Sequence, residues 1–234
     1  MAEIGYGYGS EYQMMRFLGH HKKELEKIIK NSTPLDGKFE WLDFPYNSNR
    51  LSLDGEYVGI NFLGNEKKFD EIEKKWKEFW PQRGNKQNWD AILMNNGKII
   101  LIEAKAHIKE IMQSCGAKGE SRQQIREAFE ATKYYFKMTS DSDWLKHYYQ
   151  LANRLAFVYF LFTCGISARI LNVYFLNGYK IRKKINGRIK VQENKSVRSI
   201  KEWEETIKQE YNYLGINNSS AEKYVYSIYV DCTQ

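Results

Sequence analysis

The stretch WDAILMNNGKIILIEAK, Trp89 to Lys105, decides how this chain is read. Asn96-Gly97 at its centre is the strongest short signal for a two-residue type I′ hairpin turn. The runs on either side are apolar on both faces, the pattern of central strands covered from above and below. Counting back from a turn that pairs Asn95 with Lys98 sets Asp90 directly opposite Glu103. Lys105, two residues further on, points to that same face. Opposed residues have Cβ atoms about 4.5–5.5 Å apart, where like charges are destabilising. Two carboxylates and one ammonium therefore converge at the open end of a hydrophobic hairpin, and a bound cation relieves the repulsion. Hard oxygen donors suit Mg2+ or Mn2+. The alternative is a solvated strand end at which Lys105 neutralises the two acids.

At 234 residues the chain is expected to form a single domain over 1–234. Its 42% hydrophobic and 28% charged residues describe a folded chain with a sizeable core, which excludes a disordered segment. A formal charge of +7 favours polyanionic partners, nucleic acid ahead of an anionic membrane surface. Cys115, Cys164 and Cys232 are scattered, odd in number and without metal-ligand spacing, which points to free thiols in a reducing compartment. The amino terminus lacks the pattern of a signal peptide. The apolar run from Leu155 to Ile166 is too short to span a bilayer and reads as a buried helix. A cytoplasmic location with no membrane partner is the expectation.

Outward from the hairpin, elements alternate. A capping-box pattern at Ser10–Gln13 starts a helix with Met14, Leu18, Leu25 and Ile29 on one face. KFEWLDFPY and RLSLDGEYVGINFL read as strands or a hairpin, the second turning at Asp54-Gly55. Helices are expected over EKKFDEIEKKWKEFW, SRQQIREAFEATKYYF and DWLKHYYQLANRLAFVYFLFTC. A strand at RILNVYFLN, a basic hairpin at YKIRKKINGRIKV, a helix at IKEWEETIKQEYNYL and a strand at KYVYSIYV follow. Helices mixed with a few central strands give an α/β class with a mixed central sheet flanked by helices.

Asp90, the strand after it, and then Glu103-Ala104-Lys105 resemble the D…(D/E)xK signature of the PD-(D/E)xK nuclease superfamily. The separation of the two acids is compatible with that superfamily's hairpin, and Asp90 follows Trp89 rather than the proline of the name. The resemblance implies a restriction-endonuclease-like core over about 10–177, with a basic C-terminal elaboration over 178–234. It also implies metal-dependent hydrolysis of phosphodiesters, in DNA ahead of RNA, by an endonuclease. Asp90 and Glu103 would hold Mg2+ or Mn2+, the Ala104 carbonyl is a further ligand candidate, and Lys105 would orient or activate the attacking water.

Glu11 is the remaining metal and catalytic candidate, because helical spacing sets it on the face of Leu18 and Ile29, and members of the family place an acid on their first helix. The alternative for Glu11 is a favourable place in the helix dipole. Arg122 and Arg126 share a basic face on the helix after the signature, and Lys183, Lys184 and Arg188 belong to the acid-free basic hairpin. These five are the nucleic-acid contacts expected. The rival function is a nucleic-acid-binding module that keeps the fold without catalysis. Nothing in the sequence fixes the oligomeric state, and a homodimer stays open.

Overall fold

The computed structural model describes residues 9–42, 57–64, 67–84, 86–178, 181–185, 188–192 and 196–233. Helices α1 (Ser10–His20) and α2 (Lys22–Ser32) come first, then strands β1 (Glu40–Trp41) and β2 (Tyr57–Val58) and helix α3 (Phe69–Phe79). Strands β3 (Asn88–Trp89), β4 (Ala91–Asn95) and β5 (Lys98–Lys105) follow, with helices α4 (Gly119–Phe136) and α5 (Tyr149–Thr163) behind them. Strand β6 (Ala168–Leu176), the hairpin of β7 (Ile181–Ile185) and β8 (Arg188–Gln192), helix α6 (Ile200–Leu214) and strand β9 (Val225–Asp231) complete the order.

The hairpin forms as its turn residues require. Asn96 (φ 49°) and Gly97 (φ 71°) both adopt the left-handed region that a type I′ turn needs. Asn95 pairs with Lys98, and the ladder runs back to Ala91 against Ile102. This hairpin sits inside a five-stranded sheet of order β1-β4-β5-β6-β9. Strands β1, β4 and β5 run antiparallel, while β5, β6 and β9 run parallel, so the sheet is mixed. The class is α/β, with helices on both faces.

Side-chain alternation divides the two cores. Ile100, Ile102 and Ala104 of β5 pack with Met14, Phe17, Leu25 and Ile29 of α1 and α2. Ile99 and Leu101 face the larger core built by α3, α4, α5 and α6. Coverage on both sides is the reason the runs around Asn96-Gly97 carry so little polar alternation. Helix α5 is buried from Leu151 to Val158 without a break, as a helix wrapped by other elements must be.

Several expectations change. The first helix is two helices broken at His21, so Ile29 belongs to α2 and does not share a helix with Glu11. Gly9, not Ser10, is the N-cap residue, and no side chain caps that end. Helix α5 begins only at Tyr149; Trp144 and Leu145 are buried as part of the preceding turn. The segment after residue 177 is more than an elaboration, because β9 pairs with β6 as a strand of the central sheet. The Asp54-Gly55 turn lies outside the described residues. The β7–β8 hairpin forms with Lys183 opposite Lys190 and Ile185 opposite Arg188, while the side chains of Lys183, Lys184 and Arg188 lie outside the described ones. Among the described residues no helix is long and apolar enough to cross a membrane.

Candidate active site at the open end of the hairpin

At Asp90 the chain leaves the central sheet. Trp89 and Asn88 turn aside to pair with Tyr57 and Val58, so Ala104, next along β5, loses the strand partner its N–H would have had. The Asp90 carboxylate takes that place, accepting from the Ala104 N–H at 2.6 Å. Because backbone N–H and C=O of one residue face the same strand edge, the Ala104 carbonyl also faces this opening.

Glu103 and Lys105 are 5% and 7% exposed, which removes the solvated strand end as an explanation. Their side chains sit in the larger core, beneath α5 and α6. The Lys105 ammonium and the Gln150 amide both donate to Glu103 Oε1. Arg154 donates from Nε to Glu103 Oε2 at 2.7 Å and from Nη2 to the Asn88 carbonyl at 2.7 Å. Its guanidinium also lies 4.5 Å from the centre of the Trp89 ring. Burial pushes the Glu103 carboxyl up, but Arg154 and Lys105 outweigh it and hold the group below its ordinary value. Burial likewise pushes the Lys105 ammonium down, and Glu103, Asp90 and Glu110 reverse that, so Lys105 stays protonated. Asp90 does not stand opposite Glu103 as expected, because the ladder ends at Ala91 and Ile102; Lys105 is the cation whose charge couples to both acids.

The polar layer continues across the parallel strands. Glu103 lies beside Asn172, which lies beside Ser227, and one step on Lys105, Tyr174 and Tyr229 form the next row. Over these rows α6 lays Glu210 and Tyr211; the Tyr211 hydroxyl is 3.4 Å from Ser227 Oγ. Glu210 is 3% exposed. Burial, reinforced by Glu103 and opposed by Lys105, raises its carboxyl from an ordinary 4.5 to about 8.

Glu210 therefore favours a folded protein in which it carries its proton. Its contribution is complete below pH 4.5 and is lost as the pH rises towards 8, where the folded carboxyl finally ionises. Glu210→Gln keeps the shape without the titration. The variant is expected to be more stable than the wild type by about 3 kcal/mol at neutral pH, and to match it in acid. Denaturant melts across this range read the difference directly. Parallel stability curves for the two proteins would mean that Glu210 is already ionised in the fold.

Other candidates fall as follows. Glu11 is half-buried in the first turn of α1. The start of that helix reaches the site through a hydrogen bond between Ser10 and the Glu110 side chain, and burial raises the Glu110 carboxyl above its ordinary value. After Glu103 and Asp90, Glu110 is the acid whose charge bears most on Lys105. Arg122 donates to the Cys115 carbonyl at 3.4 Å, and Arg126 pairs with Asp143 at 3.8 Å. The basic residue of that helix end which lines a cleft is Lys118. His107 caps the turn after β5, its Nδ1 accepting from the Lys109 N–H.

Arg154, Gln150, Glu110 and Glu210 escaped the sequence reading. The signal for Glu210 was available: it falls on the stripe of Trp203, Ile207 and Leu214, where a carboxylate is out of place. Gln150 and Arg154, four residues apart at the start of an apolar helix, carry the same kind of signal.

The donor set at the opening suits a hard cation, since two carboxylates and a backbone carbonyl all offer oxygen. Among the described residues no group of three or more His, Cys, Asp and Glu side chains is placed to hold a metal ion. An ion here would rest on Asp90, Glu103, the Ala104 carbonyl, water and substrate phosphate, a common arrangement for Mg2+. Glu103 Oε1 would have to release Lys105 or Gln150 to take part. The chain matches no protein-family model, no curated protein and no solved structure, so its chemistry rests on the geometry above.

Proposed function

We propose that this chain is a metal-dependent nuclease of the PD-(D/E)xK type, with a restriction-endonuclease-like core, hydrolysing phosphodiester bonds in DNA. The observation that carries the reading is the buried charge at the end of β5. Glu103 and Lys105 stay ionised at 5% and 7% exposure, with Asp90 on the neighbouring strand end. Removing such charges from water costs several kcal/mol per ion, and apolar replacements of similar size are often at least as stable. Fold stability alone gives little reason for them; phosphate chemistry does.

In this reading Asp90, Glu103 and the Ala104 carbonyl hold Mg2+ or Mn2+, which supplies Lewis-acid polarisation of the phosphodiester. Lys105, kept protonated by its neighbours, cannot accept a proton. It places positive charge where the phosphoryl oxygens become more negative as water attacks phosphorus and the bond to the leaving oxygen breaks. Glu11 remains a metal-site candidate, because the Ser10–Glu110 bond brings the start of α1 to the site.

A second reading, nucleic-acid binding without catalysis, is favoured by the fact that both Glu103 oxygens already accept from protein donors. One experiment separates the two. Plasmid DNA, linear single strands and RNA are incubated with the pure protein in chelator, Mg2+ or Mn2+, and melting curves are taken under the same conditions. Cleavage is expected only with metal, and metal should raise the melting temperature of the wild type more than that of Asp90→Asn. No cleavage of any substrate, with equal metal shifts in both proteins, would leave the binding module.

A further inference from the structure

Beside the charged cluster lies a cleft of about 960 Å³ whose lining includes Gln150 and Arg154. Those two side chains are also the ones that clamp Glu103, so an occupant of the cleft lies one side chain away from the candidate active site. Two properties of the cleft are unusual together. Its charged lining residues are Arg83, Lys86, Lys118 and Arg154, with no carboxylate among the described lining residues. Its walls also hold amides that lack partners: both polar atoms of the Gln87 side chain, Gln150 Oε1 and Asn153 Oδ1.

Gln87 is 3% exposed and Asn153 8%, so these are buried polar groups left without hydrogen bonds. Buried polar groups are nearly always satisfied, and one that is not asks for a ligand. These amide atoms are closed off from solvent, so a base edge reaches Gln87 only when its side chain turns into the cleft; its donor and acceptor then match the paired acceptor and donor on the edge of a nucleobase. Half-buried Tyr149 adds aromatic surface to the same walls, while Trp80 beneath is held in the core against Trp76. Cations for phosphate, an aromatic surface and a free amide are the elements by which unpaired nucleotides are recognised. The volume falls at the top of the range of about 300–1,000 Å³ that encloses small ligands, which admits a nucleotide or two and not a duplex.

We propose that this cleft holds unpaired nucleotides of a single-stranded nucleic acid, with phosphate against Arg83, Lys86 and Lys118 and a base edge against Gln87 and Asn153. The substrate of the nuclease is then a single strand, or a duplex end or junction that can present one. This rests on the nuclease reading for the identity of the ligand, while its test requires no cleavage.

Binding of the intact protein, in chelator, to a labelled single-stranded oligonucleotide is compared with binding to the same sequence as a duplex and with competition by polyphosphate of equal charge. The single strand is expected to bind at least tenfold more tightly than the duplex and to resist the polyphosphate. Gln87→Leu should weaken single-strand binding fivefold or more while the melting temperature holds or rises, because it removes an unsatisfied amide. Lys86→Ala with Lys118→Ala should lower the salt dependence of binding. Equal affinity for duplex and single strand, or unchanged affinity in Gln87→Leu, overturns the proposal. So does a lower melting temperature in Gln87→Leu, which would mean that the amide has partners within the fold. Single-strand preference without metal-dependent cleavage would sink the nuclease and keep the cleft; cleavage without that preference would do the reverse.

Discussion

Arg154→Leu is expected to be among the most damaging single changes to stability, at about 3–5 kcal/mol, because it strips a partner from a buried carboxylate. The variant leaves Glu103 Oε2 without its donor at 2.7 Å and the Asn88 carbonyl without its own. Glu103→Gln should fall in the same range for the opposite reason: Lys105 and Arg154 would face each other as buried cations. The double variant should lose less than the sum of the two, since each removes the partner the other leaves stranded. Urea melts of the four proteins give the coupling, and simple additivity would show that the pair is held apart in solution. The pH dependence follows from the lowered Glu103 carboxyl. Its contribution is present above pH 4.5 and disappears as acid drives the pH down through the depressed value, a loss that Glu103→Gln should not show.

Asp90→Asn is the cleaner probe of chemistry. An asparagine side-chain oxygen still accepts from the Ala104 N–H, so the strand end keeps its hydrogen bond while losing a charge and a strong ligand. Metal-dependent cleavage is expected to fall by roughly two to four orders of magnitude, with stability within about 1 kcal/mol of the wild type. Lys105→Ala should lose cleavage on the same scale, yet with a marked loss of stability, since buried Glu103 would lose one of its two cationic donors. Rates and melts measured on the same preparations separate the two cases. Full activity in Asp90→Asn would take that residue out of the mechanism.

What could be read from the chain divides by range. The hairpin register was legible because Asn96 and Gly97 impose it locally, and α6 spans the run expected of it, its ends fixed in the fold by Ser199 and Gly215. The break at His21 was legible only as a weak point at Gly19, two residues before it, since a glycine inside a helix costs about 1 kcal/mol without by itself ending the helix. Trp144 and Leu145 mimic a helix start because burial in a turn selects the same apolar residues as burial in a helix. At the site, Asp90, Glu103 and Lys105 were visible because they are neighbours across one hairpin. Arg154 and Glu210 meet them only through tertiary packing of α5 and α6, at separations that no local pattern reports.

The position of β9 has a consequence for synthesis. The strand that covers the free edge of β6 is translated some fifty residues after β6 itself. Until it leaves the ribosome, β6 presents a row of unpaired backbone groups along Ala168–Leu176, a segment buried over nearly its whole length in the finished protein. A stall between residues 177 and 225 would hold a nascent chain with that edge uncovered. The basic β7–β8 hairpin and the charged α6 are made in that interval. The hairpin is basic and α6 net acidic, and the uniform positive charge of the hairpin is the part that would oppose contact between neighbouring bare edges.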